Sequence, residues 1–271
     1  MNFSNPVSLA NEIYSLTQNH YSVLFVDFDG TLVSIQDNPN SVILCDKNKK
    51  LLLTAALLPN IEPVIVSGRE MNFLKQVLQD IPISISAEHG AIFYNHQEVS
   101  GENIVFYENY SENLSDDIRN LENFFLALQE EYPGTFMETK KTSIAFHYRK
   151  IQDASKTDLL KDKLSRIIVN IGTRLIKGKE VFEFCFSDNT KGTFVSWWLK
   201  HNSRVKKIIP ISIGDDLTDE FMFDVCNSTG GLSIKVGNGD TKASRKLKNT
   251  DDFTVFLEKY LSLFPPPSGL R

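Results

Sequence analysis

Two aspartates, Asp27 and Asp29, stand one residue apart, directly after an apolar run at residues 23–26. Because side chains alternate along an extended chain, this spacing directs both carboxylates to the same side. Two carboxylates at one site repel each other unless a cation is present, and Mg²⁺ prefers oxygen ligands near a phosphate. Gly30 permits a sharp departure from the strand, so that backbone N–H groups can approach an anion. The alternative is a turn held by Asx hydrogen bonds.

Three further polar segments contain residue types that suit phosphate chemistry. Residues 67–69 (Ser-Gly-Arg) offer a hydroxyl and backbone N–H groups to a phosphate oxygen, although Ser67 can equally cap a following helix. Lys191 lies at a predicted helix start, where an ammonium can neutralise phosphate and a nucleophilic carboxylate; the alternative is a solvated surface lysine. Adjacent Asp215 and Asp216 suit a metal ligand with a supporting partner, or simply an acidic helix start.

The elements that must position these residues can be predicted from the apolar pattern. Continuous short apolar runs are typical of parallel strands buried on both faces, and they occur at residues 23–26, 63–66, 83–85, 208–213 and 232–236;. Helical patterns alternate with them at residues 46–58, 70–78, 191–200 and 218–226;. This order predicts an α/β fold with a doubly wound, mostly parallel, Rossmann-like core. Such sheets bind ligands at the carboxyl ends of their strands, where the polar residues fall.

The middle of the chain has a different order of elements. Helical and extended patterns follow as αββαββ, at residues 115–130, 135–139, 142–148, 153–170, 173–176 and 181–186. This order predicts an inserted α+β domain at residues 106–186 that interrupts a core formed by residues 1–105 and 187–271.

Composition narrows the classes of partner. The formal charge of −5 and the pI near 5.6 argue against nucleic acid and against an anionic membrane surface as partners;. No apolar run approaches the roughly 18 to 20 residues that span a bilayer. The three distant cysteines, Cys45, Cys185 and Cys226, are expected to be buried free thiols;. We therefore expect a cytoplasmic protein.

The polar segments together resemble a known superfamily. Asp27 to Thr31 (DFDGT), residues 67–69 (SGR), residues 189–192 (NTKG) and residues 214–220 (GDDLTDE) occur in the order of the four motifs of the haloacid-dehalogenase superfamily. The resemblance implies a Mg²⁺-dependent phosphatase in which Asp27 is the nucleophile. It also implies that Asp29 is the acid and base, and that the inserted domain is a cap.

The resemblance extends to the trehalose-6-phosphate phosphatase family, over about residues 21 to 257. The segments that carry it, beyond the core motifs, are residues 87–90 (AEHG), 138–140 (ETK), 147–149 (HYR), Gly178-Lys179 and Glu183. Glu138, Lys140, Arg149 and Glu183 offer donors and acceptors suited to sugar hydroxyls; the alternative is a row of cross-strand ion pairs. Three positions depart from the family pattern: Phe28, Leu217 and Lys141. Because Lys141 is adjacent to Lys140, the pattern leaves open which of the two lysines contacts the substrate.

The resemblance assigns roles to particular residues. Metal ligands would be Asp27, the backbone carbonyl of Asp29, and Asp215, with Asp216 and Asp219 as supporting candidates. Ser67 and Lys191 would hold phosphate oxygens. The implied substrate contacts are Gly68, Arg69, Glu138, Lys140, Arg149 and Glu183.

The expected substrate is a small sugar phosphate, trehalose 6-phosphate, and a trehalose-6-phosphate synthase is a possible partner. Two alternatives stay open. One is a capped phosphatase for sucrose phosphate or a phosphoglycerate glycoside, since the core motifs are common to all of these. The other is a non-catalytic sugar-phosphate-binding subunit of a synthase complex. No chemical role is assigned to His89 or His147.

Overall fold

A computed structural model of the chain describes residues 2–36, 42–97, 103–105, 114–171, 174–178, 180–186, 188–202 and 207–266. The chain forms two compact units. One comprises Met1–Val105 and Asn189–Arg271, and the other comprises Phe106–Asp188. We call the first the core unit and the second the insert unit. The role of the insert unit as a cap stays a prediction.

The core unit is built on one eight-stranded sheet. Its strands are β1 (Tyr21–Val26), β2 (Ile61–Val66), β3 (Ser84–Ala87), β4 (Ile92–Tyr94), β5 (Asn103–Val105), β10 (Ile208–Gly214), β11 (Leu232–Val236) and β12 (Arg245–Leu247). They lie in the order β12-β11-β10-β1-β2-β3-β4-β5. The first six strands in this order are parallel to one another, β4 pairs antiparallel with β3, and β5 pairs antiparallel with β4. The mostly parallel sheet was predicted, whereas β4, β5 and β12 are strands that the apolar pattern did not reveal.

In the described part of the core unit, six α-helices accompany this sheet: α1 (Pro6–Thr17), α2 (Asp46–Leu57), α3 (Met71–Val77), α6 (Lys191–His201), α7 (Glu220–Ser228) and α8 (Thr250–Ser262). Alternate residues of β1 face opposite layers. Leu24 belongs to the hydrophobic cluster that contains Ile13 of α1 and Phe253 of α8. The ring of Phe25 meets Phe194 and Trp198 of α6 edge to face. Helices on both faces explain why the central strands are continuous apolar runs, and the predicted doubly wound α/β fold is confirmed.

The insert unit contains α4 (Leu114–Glu131), β6 (Phe136–Thr139), β7 (Ser143–His147), α5 (Ala154–Ile171), β8 (Arg174–Gly178) and β9 (Val181–Cys185), the predicted αββαββ order. Its antiparallel sheet has the order β6-β7-β9-β8. One face packs on the helices, with Phe125 of α4 against Phe146 and Phe184 at centroid distances of 4.8 and 5.1 Å. The opposite face carries polar residues, because side chains alternate along each strand.

Two expectations from composition, one on the burial of the cysteines and one on membrane-spanning segments, can be compared with the structure. Cys185 and Cys226 are buried free thiols, as expected, but Cys45 is exposed, so its predicted burial is wrong. Cys45 is the residue immediately before α2, where the chain enters the helix at the surface. No helix in the described ranges is both long and apolar enough to cross a membrane.

Candidate active site

The site starts at the carboxyl ends of two neighbouring strands. Asp27 follows β1 and Asp215 follows β10, and the N–H group of Asp27 donates to the carbonyl oxygen of Ile213 at 2.9 Å. Gly30 has a φ of +78°, and a Cβ atom there would lie 2.1 Å from Oδ2 of Asp215. Only glycine therefore allows the Asp215 carboxylate to approach the loop after Asp27 this closely.

Lys191 joins this site from the first turn of α6. Its Nζ lies 2.5 Å from Oδ1 of Asp27 and 2.6 Å from Oδ1 of Asp219, and all three side chains are buried. The alternative interpretation of Lys191 as a solvated surface residue is therefore wrong. Burial on its own would lower the pKa of Lys191, but the charges of Asp219 and Asp27 raise it. The ammonium therefore stays protonated beside the two carboxylates.

Asp219 organises the loop that carries Asp215. It is fully buried, and its Oδ2 accepts hydrogen bonds from the N–H groups of Asp215 and Asp216, both at 2.9 Å. A Cβ atom on Gly214 would lie 2.2 Å from Cγ of Asp219, so glycine is required at that strand end. Asp216 is exposed, and its Oδ1 accepts from the N–H group of Leu217. Of the two predicted supporting residues, Asp219 is the one bonded to Lys191.

Asp29 and Arg69 form a two-point ion pair. Nε and Nη2 of Arg69 each lie 2.6 Å from a different carboxylate oxygen of Asp29. The guanidinium also lies over the ring of Phe73, 4.7 Å from its centroid. A planar guanidinium bound in this way holds a carboxylate in one orientation. The structure thus brings together two predicted site residues from the ends of β1 and β2.

Ser67 lies buried at the end of β2. Its Oγ accepts from the N–H group of Arg69 at 3.2 Å. The cap position of α3 is Glu70, so the alternative in which Ser67 caps that helix is wrong. A hydroxyl that already accepts one hydrogen bond can donate its proton to a phosphate oxygen.

The acidic cluster suits a divalent cation. Carboxylate oxygens of Asp27, Asp215 and Asp219 lie within 4.8 Å of one another. Burial raises the pKa of Asp27 well above its ordinary value, and burial together with the charge of Asp219 raises the pKa of Asp215 to about 7. Burial disfavours the ionised form of both carboxylates, and the charges of neighbouring aspartates add to this effect while the charge of Lys191 opposes it;. Asp27 and Asp215 are the carboxylates placed to bind a cation, because both oxygens of Asp219 already accept hydrogen bonds.

Lys235 is a site residue that the sequence analysis missed. It is buried on β11, and its Nζ donates to the backbone carbonyl oxygen of Asp215. Its positive charge works against the rise in the pKa of Asp215. The signal was a single lysine inside the otherwise uncharged run Leu232–Val236, because a lysine is rarely buried without a partner.

The insert unit has a polar cluster of its own on the face of its sheet away from the helices. Glu138, Ala145 and Glu183 occupy one row of β6, β7 and β9. Oε1 of Glu183 accepts from Nζ of Lys140 at 2.8 Å and from Oγ of Ser143 at 2.6 Å. The Lys140–Glu183 pair is buried and Lys141 is exposed, so Lys140 is the one of the two lysines that belongs to this buried cluster.

The other predicted insert residues are also paired. Nε2 of His147 lies 3.1 Å from Oε2 of Glu138, and the His147 ring stacks on Phe136 at 4.2 Å. This hydrogen bond is the main reason that the pKa of Glu138 lies below its ordinary value. Nε of Arg149 lies 3.0 Å from Oε2 of Glu180. The alternative interpretation, a row of cross-strand ion pairs, holds for Glu138 and His147, which lie on the paired strands β6 and β7, whereas Lys140 and Arg149 lie just beyond the ends of those strands. Lys179 lies outside the described residues.

The chain, with its buried Asp27–Lys191–Asp219 cluster, has the same fold as a haloacid dehalogenase-like hydrolase from Bacteroides thetaiotaomicron, with a TM-score of 0.61, 17% identity and coverage of 90% and 99%. The sequence profile of the trehalose-phosphatase family matches residues 25–252. The chain belongs to that family.

Individual relatives agree with this assignment. The chain is 29% identical to the trehalose-6-phosphate phosphatase of Escherichia coli over 238 residues, which cover 86% of this chain and 84% of that protein. It is 30% identical to a bifunctional trehalose-6-phosphate synthase/phosphatase of Thermoproteus tenax over 252 residues, 90% of this chain but 32% of that protein. The C-terminal domain of Candida albicans trehalose-6-phosphate phosphatase has the same fold, with a TM-score of 0.85, 21% identity and coverage of 98% and 100%.

Proposed function

We propose that this chain hydrolyses trehalose 6-phosphate to trehalose and inorganic phosphate with Mg²⁺ as cofactor. Family membership and the similarity to the Escherichia coli phosphatase support the substrate. The observation that carries the chemistry is the buried contact of Asp27 with Lys191 at 2.5 Å, beside Asp215. It supplies a carboxylate nucleophile and a fixed positive charge at one point.

In the first step, an oxygen of Asp27 attacks the phosphorus and the bond from phosphorus to the sugar oxygen breaks. The product on the enzyme is an aspartyl-phosphate, which divides one difficult hydrolysis into two displacements. Asp29 donates the proton that the leaving sugar oxygen needs. In the structure, both carboxylate oxygens of Asp29 accept hydrogen bonds from Arg69, an arrangement that favours the ionised carboxylate;. This ion pair must therefore open before Asp29 can hold and donate the proton.

In the second step, water attacks the phosphorus of the aspartyl-phosphate, Asp29 removes a proton from that water, and Asp27 is released. Lys191 and Ser67 hold phosphate oxygens. Gly68 and Arg69 belong to the same loop as Ser67 and contact the substrate beside it. Mg²⁺, bound by Asp27, the carbonyl of Asp29 and Asp215, would supply further charge neutralisation. Positioning and neutralisation account for most of phosphoryl-transfer catalysis.

Recognition of the sugar falls to the insert unit, which acts as the cap. The core residues described above can bind only phosphate and a cation, so they treat all phosphate monoesters alike. Glu138, Lys140, Arg149 and Glu183 provide charged acceptors and donors for hydroxyl groups. Their existing ion pairs favour this role because partners held in fixed positions lose less entropy on binding.

A phosphate-release screen tests this function against its alternatives. We expect trehalose 6-phosphate to be hydrolysed faster than sucrose 6-phosphate or glucose 6-phosphate, and only with Mg²⁺. Preference for another sugar phosphate would contradict the substrate while retaining the chemistry. Tight binding of sugar phosphates without phosphate release would instead support a non-catalytic subunit.

The raised carboxylate pKa values predict how pH affects the metal-free protein. Because the pKa of Asp215 rises to about 7 on folding, from an ordinary 3.8, the folded state keeps a proton that the unfolded state loses. Stability therefore falls as pH increases through this window. We expect the Tm in EDTA to be lower at about pH 7.5 than at about pH 5.5, and Mg²⁺ to restore it at the higher pH.

The control for this prediction is Asp215→Asn. The lowered pKa of His96 acts in the opposite sense, so only the difference between the wild type and this variant reports on Asp215;. The variant should lose the part of the pH dependence of Tm that Asp215 contributes, together with most of the response to Mg²⁺, whereas the part due to the raised pKa of Asp27 should remain. If the dependence of Tm on pH is the same in Asp215→Asn and in the wild type, ionisation of Asp215 does not destabilise the folded protein.

A trehalose-6-phosphate synthase is a reasonable partner to test by co-purification. The Thermoproteus tenax relative combines both activities by name, and this chain spans about a third of that protein. Cytoplasmic location is consistent with such a partner and stays a prediction.

A further inference from the structure

The turn Glu88–Gly90, which follows β3, has an unusual backbone. Glu88, His89 and Gly90 all have positive φ, at +49°, +57° and +100°. Two of these residues carry side chains, and residues with side chains adopt this left-handed conformation only when surrounding contacts hold them there. Glu88 and His89 are also buried. Neither residue has a chemical role predicted from the sequence.

One side of this turn holds the loop of residues 67–69. The N–H group of His89 donates to the carbonyl oxygen of Ser67 at 2.9 Å, and that of Glu88 donates to the carbonyl oxygen of Arg69 at 3.0 Å. The N–H group of Ser67 itself donates to Ser86 of β3 at 2.9 Å. The backbone of the loop is thus tied to β3 and to the turn at three points.

The imidazole of His89 adds a contact that depends on size. A Cβ atom on Gly68 would lie 2.4 Å from Cε1 and 2.5 Å from Nε2 of His89, closer than real Cβ atoms approach other atoms. The ring therefore lies directly against the backbone of Gly68. Glycine at this position and imidazole at position 89 are complementary in volume.

The same turn abuts the start of α6. A Cβ atom on Gly90 would lie 2.5 Å from the carbonyl oxygen of Thr190 and 3.0 Å from Cβ of Phe194. Thr190 is the cap residue of α6, and Lys191 follows it. The same turn therefore contacts both the Ser67 loop and the segment that carries Lys191.

We infer that the turn Glu88–Gly90, through the imidazole of His89 packed on Gly68, positions the Ser67–Arg69 loop relative to Lys191 for binding phosphate. His89 is a positioning residue and touches no reacting atom. The inference rests on the proposed phosphatase function, but it concerns phosphate and not the identity of the sugar. The physical reason is that one phosphate must contact the Ser67 hydroxyl and the Lys191 ammonium at the same time. A small displacement of either group therefore weakens phosphate binding.

Size-exchange variants test this inference. Gly68→Ala should raise both the KM for p-nitrophenyl phosphate and the inhibition constant for inorganic phosphate by roughly 10- to 100-fold, because the methyl group and the imidazole cannot occupy the same space. His89→Gly removes the ring and tolerates the positive φ. The double variant Gly68→Ala/His89→Gly should recover most of the phosphate affinity lost in Gly68→Ala.

Gly230→Ala is the matched control. Gly230 has a φ of +81° and open space around its Cβ position, so this variant should lose stability through backbone strain;. It should not change the inhibition constant for phosphate. His89→Asn, which retains a residue suited to positive φ, serves as a folded comparison if His89→Gly unfolds.

Two outcomes would overturn the inference. One is a Gly68→Ala variant with unchanged KM and phosphate inhibition despite a lower Tm. The other is a double variant that binds phosphate no better than Gly68→Ala. If the wild type instead hydrolyses p-nitrophenyl phosphate but not trehalose 6-phosphate, the proposed substrate fails and the phosphate measurements still decide the inference.

Discussion

Replacing Asp27 by asparagine should abolish phosphate release, with a loss in kcat of roughly 10⁴-fold or more, as is usual when a nucleophile is removed. The amide nitrogen and oxygen of asparagine cannot form the aspartyl-phosphate. The variant should nevertheless fold. It retains the volume of Asp27, and Lys191 keeps its 2.6 Å contact with Asp219. Rapid-quench assays with radiolabelled substrate should detect a phosphorylated wild-type enzyme and none in the variant.

The matched control for this prediction is Asp80→Asn, an exposed aspartate beyond α3. It should leave kcat within about twofold of the wild type, because surface substitutions have small effects. The Tm of Asp27→Asn should not fall below that of the wild type in EDTA, because burial disfavours the Asp27 carboxylate. Substantial turnover by Asp27→Asn would contradict the nucleophilic role.

The second large effect concerns sugar recognition by Glu183. We expect Glu183→Gln to lower kcat/KM for trehalose 6-phosphate by roughly 10²- to 10³-fold, since sites built around a hydroxyl discriminate strongly through buried polar groups. The change keeps the size of the side chain but removes the charge that binds Lys140 at 2.8 Å. Hydrolysis of p-nitrophenyl phosphate, which has no sugar hydroxyls, should change little.

The ratio of the two activities is the decisive measurement. The control variant is Glu131→Gln, at the exposed end of α4, where Glu131 pairs with Lys163. It should change neither the hydrolysis of trehalose 6-phosphate nor that of p-nitrophenyl phosphate. An equal loss on both substrates in Glu183→Gln would assign Glu183 to folding of the insert unit. Circular dichroism of the variant distinguishes misfolding from a changed site.

Much of the architecture follows from local sequence. Runs such as residues 208–213 predict buried parallel strands because both faces of the sheet are covered, and β10 is found there;. The position of Asp27 and Asp215 at the carboxyl ends of strands also follows from the sequence, whereas the adjacency of β1 and β10 is seen only in the structure. The edge strands β5 and β12 and the strand β4 next to β5 have three residues each, which is too short for an apolar pattern to be detected.

The family and the acidic motifs could thus be determined from the sequence alone, because each depends on residues close together along the chain. Tertiary structure decided which partners these residues have. Lys191 meets Asp219 and Lys235 meets the carbonyl of Asp215 across gaps of 28 and 20 residues, respectively. The pairing of Arg69 with Asp29 and the packing of His89 on Gly68 depend equally on neighbouring strands. Burial strengthens the interactions between these charged residues and fixes the close contacts at the glycines. Burial depends on how the whole chain packs and cannot be inferred from any local pattern.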